Sequence, residues 1–449
     1  MASNQFPPDY KKTREEIIEH LKNSDVNTAY KVIRNILDYP GPKDNEIIWK
    51  DAFKLFEKIV LEISGRELRD LVRLIVENPN DVKNLYDLAY KLYEQGAHGI
   101  AATLLNRANY VEPENFDIVT ELAVNLEVLM FNDEACKVLS EATTLLNNND
   151  FCRYLVAFNS LMTGNLDEPY QMLPSIEYSD DNEVKAMGLR LKGMLNRAAI
   201  LKKNRPLDNM DLRGWHMVLN GSFLLHISPF GLEEGMNGRY AYISDSFTLC
   251  QQGINRVKEV LKKASIVVPE IFALPDRSSQ ILATATSLIF ECPLEDWKEE
   301  NMTKPGLIVA YDLDSIDSAD ILKQIAEHRS GQILWAHASC WTNPFPFSPD
   351  ITTYLYQHSA SPWSGGRMVF DKKSKNVKYD KPDDSSEKEI AEKIIHAEKE
   401  DDYLDDLDDL LSIIKTLKEL KGEDKPGIFK TTGKRIHQRI GSPVPSNRF

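Results

Sequence analysis

The apolar positions between Asn78 and Pro113 follow the 3.6-residue period of two amphipathic helices. Gly96 marks the turn between them, and Pro113 stops the second helix. A shift of about 34 residues brings the same pattern back. The stripes are Leu85, Leu88, Ala89 and Leu92, then Ala101, Leu105 and Ala108, and after the shift Val119, Leu122, Ala123 and Leu126, then Ala135, Leu139 and Ala142. The first half of the chain is therefore predicted to consist of repeated helix pairs.

This pattern resembles the tetratricopeptide repeat, which places small residues where two helices cross. The resemblance covers Asp81 to Leu173 and is specific for two units. A third unit is degenerate, because Pro169 stands where the small Ala is expected. The resemblance implies an α-solenoid whose surface binds another protein.

Further helical patterns flank the repeats, as expected for arrays whose end units are atypical. Residues 1–77 are predicted to form an N-terminal helical cap, and residues 78–204 the repeats with a closing helix. The predicted flanking helices are Lys12–Leu21, Val26–Leu37, Ile47–Ile63, Glu67–Val76 and Asn182–Lys203.

Beyond Arg205 the pattern changes to short apolar runs that alternate with helical segments. Gly306–Tyr311 and Gln332–Ala336 are apolar throughout, which is typical of strands covered on both faces. Strands separated by helices imply βαβ crossovers, so residues 205–371 are predicted to form a three-layer α/β domain with a mostly parallel sheet. The other predicted strands are Trp215–Ile227, Glu270–Ala273 and Arg367–Phe370, and the predicted helices are Tyr240–Lys263, Ser278–Phe290, Ala319–His328 and Ile351–Gln357.

The pattern of residues 372–449 predicts a disordered, charged tail whose removal leaves the melting temperature nearly unchanged. One amphipathic helix is expected near residues 403–420, with Leu404, Leu407 and Leu411 in its stripe. This acidic helix can dock on a partner, or it can be a solvated face. From Lys425 onward the tail is basic.

Composition excludes several classes of function. A net charge of −15 and a pI near 5.2 argue against nucleic-acid binding, because the phosphate backbone requires clustered Lys and Arg. No apolar run approaches the roughly 20 residues that span a bilayer, so no membrane contact is predicted. The N-terminal residues lack the apolar core of a signal peptide. The five Cys residues form no CxxC motif, which favours a reducing, cytoplasmic location.

In a parallel α/β domain, ligands bind at the carboxyl ends of the strands. This rule selects Leu274–Ser279, Tyr311–Asp317 and His337–Thr342. The first two segments faintly resemble a phosphoribosyltransferase-type fold, whose corresponding loop holds pyrophosphate and whose strand-end acids hold ribose hydroxyls. The chain departs from that family at Leu313–Asp317, which has no Gly and carries added negative charge. The phosphate-binding loop is therefore absent.

The candidate ligand-binding residues are Arg277, Ser278, Asp312, Asp314 and Trp341. Arg277 would bind an anionic group, and the two acids would bind hydroxyls or a divalent ion. His337 and Asp312 are the catalytic candidates, with His337 as acid or base. The alternatives are a plain salt bridge between Arg277 and Asp312, and acids that only cap the next helix.

A second candidate is the pair His216 and His226, which a hairpin turn at Asn220–Gly221 would bring together. Two His residues alone are a poor zinc signal, so no metal site is assigned and no cofactor is named.

The sequence leaves two functions open. The first is an interaction scaffold whose repeats bind another protein, with an α/β module that recognises a ligand or partner. The second is an enzyme that acts on a small polar or nucleotide-like substrate at the strand ends. Convergence of Arg277, Asp312, Asp314 and His337 in one cavity would favour the enzyme.

Overall fold

The computed structural model describes residues 6–42, 45–229, 235–366, 368–371, 376–398, 407–436 and 443–446. The chain divides into two compact units, residues 1–188 and 189–449. The boundary falls inside the long helix Asn182–Asn204. In the described residues the first unit is helical and the second is an α/β domain, which confirms the predicted fold class.

The helices of the first unit form consecutive antiparallel pairs, and their apolar stripes are buried. Leu85, Ala89, Ala101 and Ala108 are each fully buried, as the repeat pattern predicts. The helices are α1 (Pro8–Lys22), α2 (Val26–Leu37), α3 (Glu46–Ile63), α4 (Arg66–Glu77), α5 (Val82–Glu94), α6 (His98–Val111), α7 (Phe116–Val128), α8 (Asn132–Glu141), α9 (Thr143–Asn148), α10 (Asp150–Met162), α11 (Asp167–Glu177) and α12 (Asn182–Asn204).

The residues that cap the helices recur with the same 34-residue period as the buried apolar positions. Asp81, Asn115 and Asn149 stand 34 residues apart and cap α5, α7 and α10. Each side chain accepts the backbone N–H three residues further on, at 2.9, 3.4 and 3.0 Å, which satisfies a donor that the helix leaves open. The turns recur with the same spacing at Gly96 (φ 77°), Met130 (φ 63°) and Gly164 (φ 87°). The N-terminal half therefore contains three repeat units, including the one whose sequence is degenerate.

The second unit contains a parallel sheet in the order β1–β7–β6–β5–β3–β4, with β2 also paired to β7. One face packs on α16 through Ile308, Ala310, Leu334 and Ala336. Helix α15 packs on β3, β4 and β5, and α14 packs beside α15. The elements are α13 (Leu212–Asn220), β1 (Phe223–Leu224), β2 (Tyr240–Ser244), α14 (Phe247–Lys263), β3 (Ile271–Ala273), α15 (Arg277–Phe290), β4 (Leu294–Asp296), β5 (Gly306–Asp312), α16 (Ala319–Ile325), β6 (Gln332–Cys340), β7 (Ile351–Ala360), β8 (Met368–Asp371), β9 (Asn376–Tyr379), α17 (Glu387–Ile395) and α18 (Leu407–Lys418). Strands β8 and β9 form a separate antiparallel pair.

Three of the predicted elements were wrong. Ile351–Gln357 is a strand, because its β-branched and aromatic side chains pair along β6 and pack in the sheet. Trp215–Ile227 is mainly helix α13, which Gly221 ends in a left-handed conformation (φ 65°). Tyr240–Lys263 is a strand followed by a helix, because the Ser246 side chain caps α14.

The described parts of residues 372–449 pack on the α/β unit. Ile390 and Ile394 of α17 are buried against α15 and α14, and Ile414 and Leu417 of α18 are buried where that helix contacts α14. We therefore expect these segments to contribute to stability, in contrast to the sequence-based prediction for the tail, because their apolar stripes are buried within the same unit. Leu404 lies outside the described residues. In the described part of the chain, no helix has the length and hydropathy needed to cross a membrane.

Candidate functional sites

The strand order places the topological switch point between β3 and β5, because β4 follows β3 on one side and β5 pairs on the other. Ligands in open parallel sheets bind outside the carboxyl ends at such a point. The residues there are Asp276 and Arg277 after β3, Asp312 at the end of β5, and Asp314 just after it. These are the segments that the sequence selected.

Asp312 is largely buried and already hydrogen-bonded. Its Oδ2 accepts the hydroxyl of Tyr356, and its Oδ1 accepts the backbone N–H of Asp314 at 3.1 Å. Burial raises the pKa of Asp312 to about 6, although the Tyr356 hydroxyl acts in the opposite direction. The side chain of Asp314 is exposed. Asp312 is thus a group that titrates near neutral pH, with its oxygens held by the protein itself.

Arg277 holds the segment that precedes α17. Its guanidinium donates to the carbonyl oxygens of Asp383 and Ser385, both at 2.8 Å, and lies 3.6 Å from Glu387. The Oγ of Ser278, in the same turn, accepts the indole N–H of Trp363 at 2.9 Å. These contacts take the place of the salt bridge between Arg277 and Asp312 that was the alternative to a ligand site.

His337 lies on the other face of the sheet from Asp312. Asp312 is in register with Ala338, so His337, one residue earlier on β6, points the opposite way. Its Nε2 is 3.2 Å from Oδ2 of Asp245, and both side chains are fully buried. The sheet therefore separates the two catalytic candidates.

A buried network surrounds the Asp245 carboxylate. Its Oδ2 accepts the Tyr311 hydroxyl at 2.7 Å and the Cys250 thiol at 3.3 Å, in addition to His337. Burial raises the pKa of Cys250 well above its ordinary value, with a further contribution from Asp245. Asp245 falls within the predicted helix Tyr240–Lys263, so the sequence did not indicate an acid at the end of a strand.

Asp245, Cys250 and His337 form a group of side chains that could hold a metal ion. Metal-bound His residues usually donate their second ring N–H to an acceptor. The Nδ1 of His337 has no hydrogen-bond partner, and α14 packs so closely there that a Cβ on Gly253 would lie 2.8 Å from it. The geometry fits a hydrogen-bonded core network better than a metal centre.

The remaining predicted residues are also engaged in packing. The indole of Trp341 donates to the carbonyl of Tyr240 at 3.0 Å and is nearly buried. His216 lies on α13 and His226 follows β1, where its Nδ1 is 3.2 Å from the Tyr240 hydroxyl. In the described part of the chain, neither His belongs to a group that could hold a metal. The side chains predicted to converge on one site thus lie in separate environments.

The helical unit contains an open cavity of about 400 Å³. It is formed where the first helices of successive repeats begin, at Phe116 of α7, at Asn148–Phe151 before and in α10, and at Ser179–Met187 around the start of α12. We call this cavity the repeat groove. Phe116 is 39% exposed, and its ring lies 6.5 Å from that of Phe151.

Aromatic and acidic side chains continue along these first helices. The rings of Phe151, Tyr154 and Phe158 follow one another on α10, with centroids 6.5 and 5.9 Å apart. On α7, burial raises the pKa of Glu121, and Asp117 raises it further. The charged side chains that line the repeat groove, among the described residues, are all acidic: Asp150, Asp181 and Glu183.

No family model and no curated protein matches the chain. A solved structure of MamA AMB-1 is 19% identical and covers 40% of this chain and 97% of that chain, with a TM-score of 0.24. A second crystal form is 20% identical, with 37% and 95% coverage and a TM-score of 0.23. MamA MSR-1 is 18% identical, with 41% and 98% coverage and a TM-score of 0.23. At these TM-scores the likeness assigns neither a family nor a function to the chain.

Proposed function

We propose that the chain is a protein-interaction scaffold that holds an extended segment of a partner protein in the repeat groove. The observation that carries the proposal is an open cavity of about 400 Å³, formed where the first helices of successive repeats begin. It is lined by the ring of Phe116, which is exposed, and by the ring of Phe151. Repeat arrays bind through such continuous surfaces. Aromatic side chains are enriched at protein interfaces, because they bury a large area at low cost in conformational entropy.

The chemistry of the groove defines the partner segment. Phe116 and Phe151 would contact an apolar side chain, and Glu183 would attract a Lys or Arg beside it. Asp150 and Asp181 are partly used within the unit: Asp150 lies 2.5 Å from Arg153, and Asp181 accepts the N–H of Glu183 at 2.8 Å. We therefore expect a segment in which basic and apolar residues stand next to each other.

Within this proposal the α/β unit is a second recognition module. The alternative of an enzyme at the strand ends has less support, because Arg277 binds backbone carbonyls and His337 is buried on the far face from Asp312. No arrangement of nucleophile, base and anion-stabilising donor is formed by the described residues at the switch point.

The test is selection from a random-peptide display library on the full chain, followed by fluorescence anisotropy with the enriched peptides. We expect enrichment of peptides that pair Lys or Arg with an apolar residue. Phe116→Ser should raise Kd by about tenfold or more, since truncating a central interface aromatic commonly costs more than about 1.4 kcal/mol. Glu183→Lys should weaken binding more at low salt than at high salt.

Tyr178→Ser provides the matched control, because Tyr178 is 84% exposed and does not line the groove. Its Kd should equal that of the wild type. The proposal fails if no such peptides are enriched, or if enriched peptides bind the Phe116→Ser protein as tightly as the wild type.

A further inference from the structure

A second cleft lies in the α/β unit, at the amino ends of the strands rather than at the carboxyl ends. His328 precedes β6, Asp350 immediately precedes β7, and Gly221 stands just before β1. Residues 421–436, which we call the C-terminal segment, close the cleft. Gly427 of this segment donates its N–H to the carbonyl of Gly221 at 2.8 Å. The cleft therefore exists only when this segment is docked.

Cations dominate the lining of this cleft, although the chain as a whole carries a net charge of −15. Among the described lining residues, Asp350 is the only acid. The basic ones are Arg190, Arg197, Lys430, Lys434 and Arg435. Positive charge thus clearly exceeds negative charge within the cleft.

The single carboxylate is already neutralised. Arg435 donates to both oxygens of Asp350, from Nε at 3.1 Å and from Nη2 at 2.6 Å, and His328 lies 3.4 Å away. Burial acts to raise the pKa of Asp350, but Arg435 and His328 outweigh it and hold the pKa below its ordinary value. Arg197 donates to backbone carbonyls, to Val218 at 3.0 and 2.8 Å and to Asp424 at 3.2 Å. A second anion entering the cleft would therefore be attracted mainly by the lysines, without strong repulsion from Asp350.

The size of the cleft limits what it can take. Its enclosed part measures about 20 Å³, which is room for one or two oxygen-sized atoms. A whole nucleotide does not fit inside, whereas one or two oxygens of an ionised group do, with the rest of the molecule outside. Lys430 and Lys434 stand on the C-terminal segment, where flexible ammonium groups can reach such an anion.

We propose that this cleft is an oxyanion-binding site, completed by the docked C-terminal segment, that takes the phosphate or carboxylate group of a small molecule. This site would also explain why the chain is basic from Lys425 onward, a feature that plays no part in the proposed scaffold function. Arg435 neutralises Asp350, and Lys430 and Lys434 supply the attraction for the ligand.

The experiment is isothermal titration calorimetry of the full chain with inorganic phosphate and with acetate, each against sodium chloride at equal ionic strength. Saturable binding of phosphate or acetate, without saturable binding of chloride, is the expected result, and the tighter of the two identifies the group. The double variant Lys430→Gln/Lys434→Gln should raise Kd by about tenfold or more, and Lys434→Gln alone by a smaller factor.

Lys421→Gln is the matched control, because Lys421 is exposed in the same segment and does not line the cleft. Its Kd should not change. Far-UV circular dichroism and melting curves check that the double variant stays folded, and Lys434→Gln, at an exposed position, serves if it does not. The absence of saturable binding, or equal Kd values for the wild type and both cleft variants, would overturn the site.

Discussion

At the scale of single residues, the face of a strand decides what a polar side chain can do. Tyr311 and Asp312 are neighbours on β5, yet Tyr311 joins the buried Asp245 network while Asp312 lies on the other face beside Tyr356. The two environments differ in their hydrogen-bond donors. The Asp245 carboxylate is surrounded by a thiol, a hydroxyl and an imidazole. The Asp312 carboxylate accepts one hydroxyl and one backbone N–H, and burial raises its pKa to about 6.

This raised pKa predicts the pH dependence of stability at Asp312. Because the pKa is higher in the folded protein, folding favours the protonated carboxyl. The stabilisation is complete below the unfolded-state pKa of about 4, and it is lost as the pH rises through about 6. Asp312→Asn keeps the shape without the charge, so at pH 7.5 it should raise the free energy of unfolding by about 1–3 kcal/mol.

Urea denaturation of the wild type and Asp312→Asn at pH 4.5 and pH 7.5 measures this difference, which should be smaller at the lower pH. Asp317→Asn is the control, because Asp317 is exposed in the same loop. A lower stability of Asp312→Asn at both pH values would mean that Asp312 is needed as a charged hydrogen-bond acceptor.

At the scale of elements, the helical repeats are defined by their ends as much as by their stripes. The caps Asp81, Asn115 and Asn149 start the first helix of each unit, and a residue with positive φ ends it. Met130 takes the position that Gly occupies in the other two units, although such a backbone disfavours a side chain. The packing of the repeat therefore enforces the turn where the local sequence does not.

Close helix crossing predicts the effect of enlarging a buried Ala. Ala108 is fully buried on α6, so Ala108→Leu should overpack the crossing and lower the free energy of unfolding by about 1–3 kcal/mol. Ala186→Leu is the control, because Ala186 is exposed on α12. Thermal melting followed at 222 nm compares them. Equal melting curves for the wild type and Ala108→Leu would show that the repeat register is misplaced.

At the scale of the whole molecule, the C-terminal segment belongs to the α/β unit. Arg435 pairs with Asp350 and also donates to the carbonyls of Ile325 and Glu327, at 2.8 and 2.7 Å. Further along, the carbonyl of Pro445 accepts the Asn237 side chain at 2.6 Å. The basic C-terminal segment thus supplies the counter-charge for the carboxylate of Asp350, which is buried just before β7.

Removing this counter-charge should destabilise the α/β unit. Arg435→Met leaves Asp350 buried without its main cation, which costs about 3–5 kcal/mol. The pKa of Asp350 is lowered in the folded protein, so this stabilisation is present above the unfolded-state pKa of about 4 and is lost as the pH falls. Chemical denaturation should therefore show a large difference from the wild type at pH 7 and a smaller one near pH 3.

Lys434→Met is the neighbouring control, because Lys434 is exposed, and its effect should stay within about 0.5 kcal/mol. Arg435→Met/Asp350→Leu should recover part of the loss, since it removes the uncompensated charge. If Arg435→Met were as stable as Lys434→Met, the C-terminal segment would not be part of the folded unit in solution.

The sequence by itself determined the features that local chemistry encodes. The helix pairs between Asp81 and Leu173 follow from the helical period of their apolar positions. The strands Gly306–Tyr311 and Gln332–Ala336 follow from runs that are apolar throughout, as in strands covered on both faces. The segment Leu274–Ser279 also lies at the carboxyl end of a strand, as the order of predicted elements indicates. These features depend on residues close together in the sequence, so they can be recognised without the tertiary structure.

Only the tertiary structure decided which polar groups meet. Asp312 and His337 looked like one site, because strand ends share an edge, but a register that differs by one residue puts them on opposite faces. Asp350 and Arg435 are far apart in the chain, and nothing local to either one indicates the other. Their pairing, like the docking of α17 and α18, depends on surfaces that exist only after the sheet and its helices have packed.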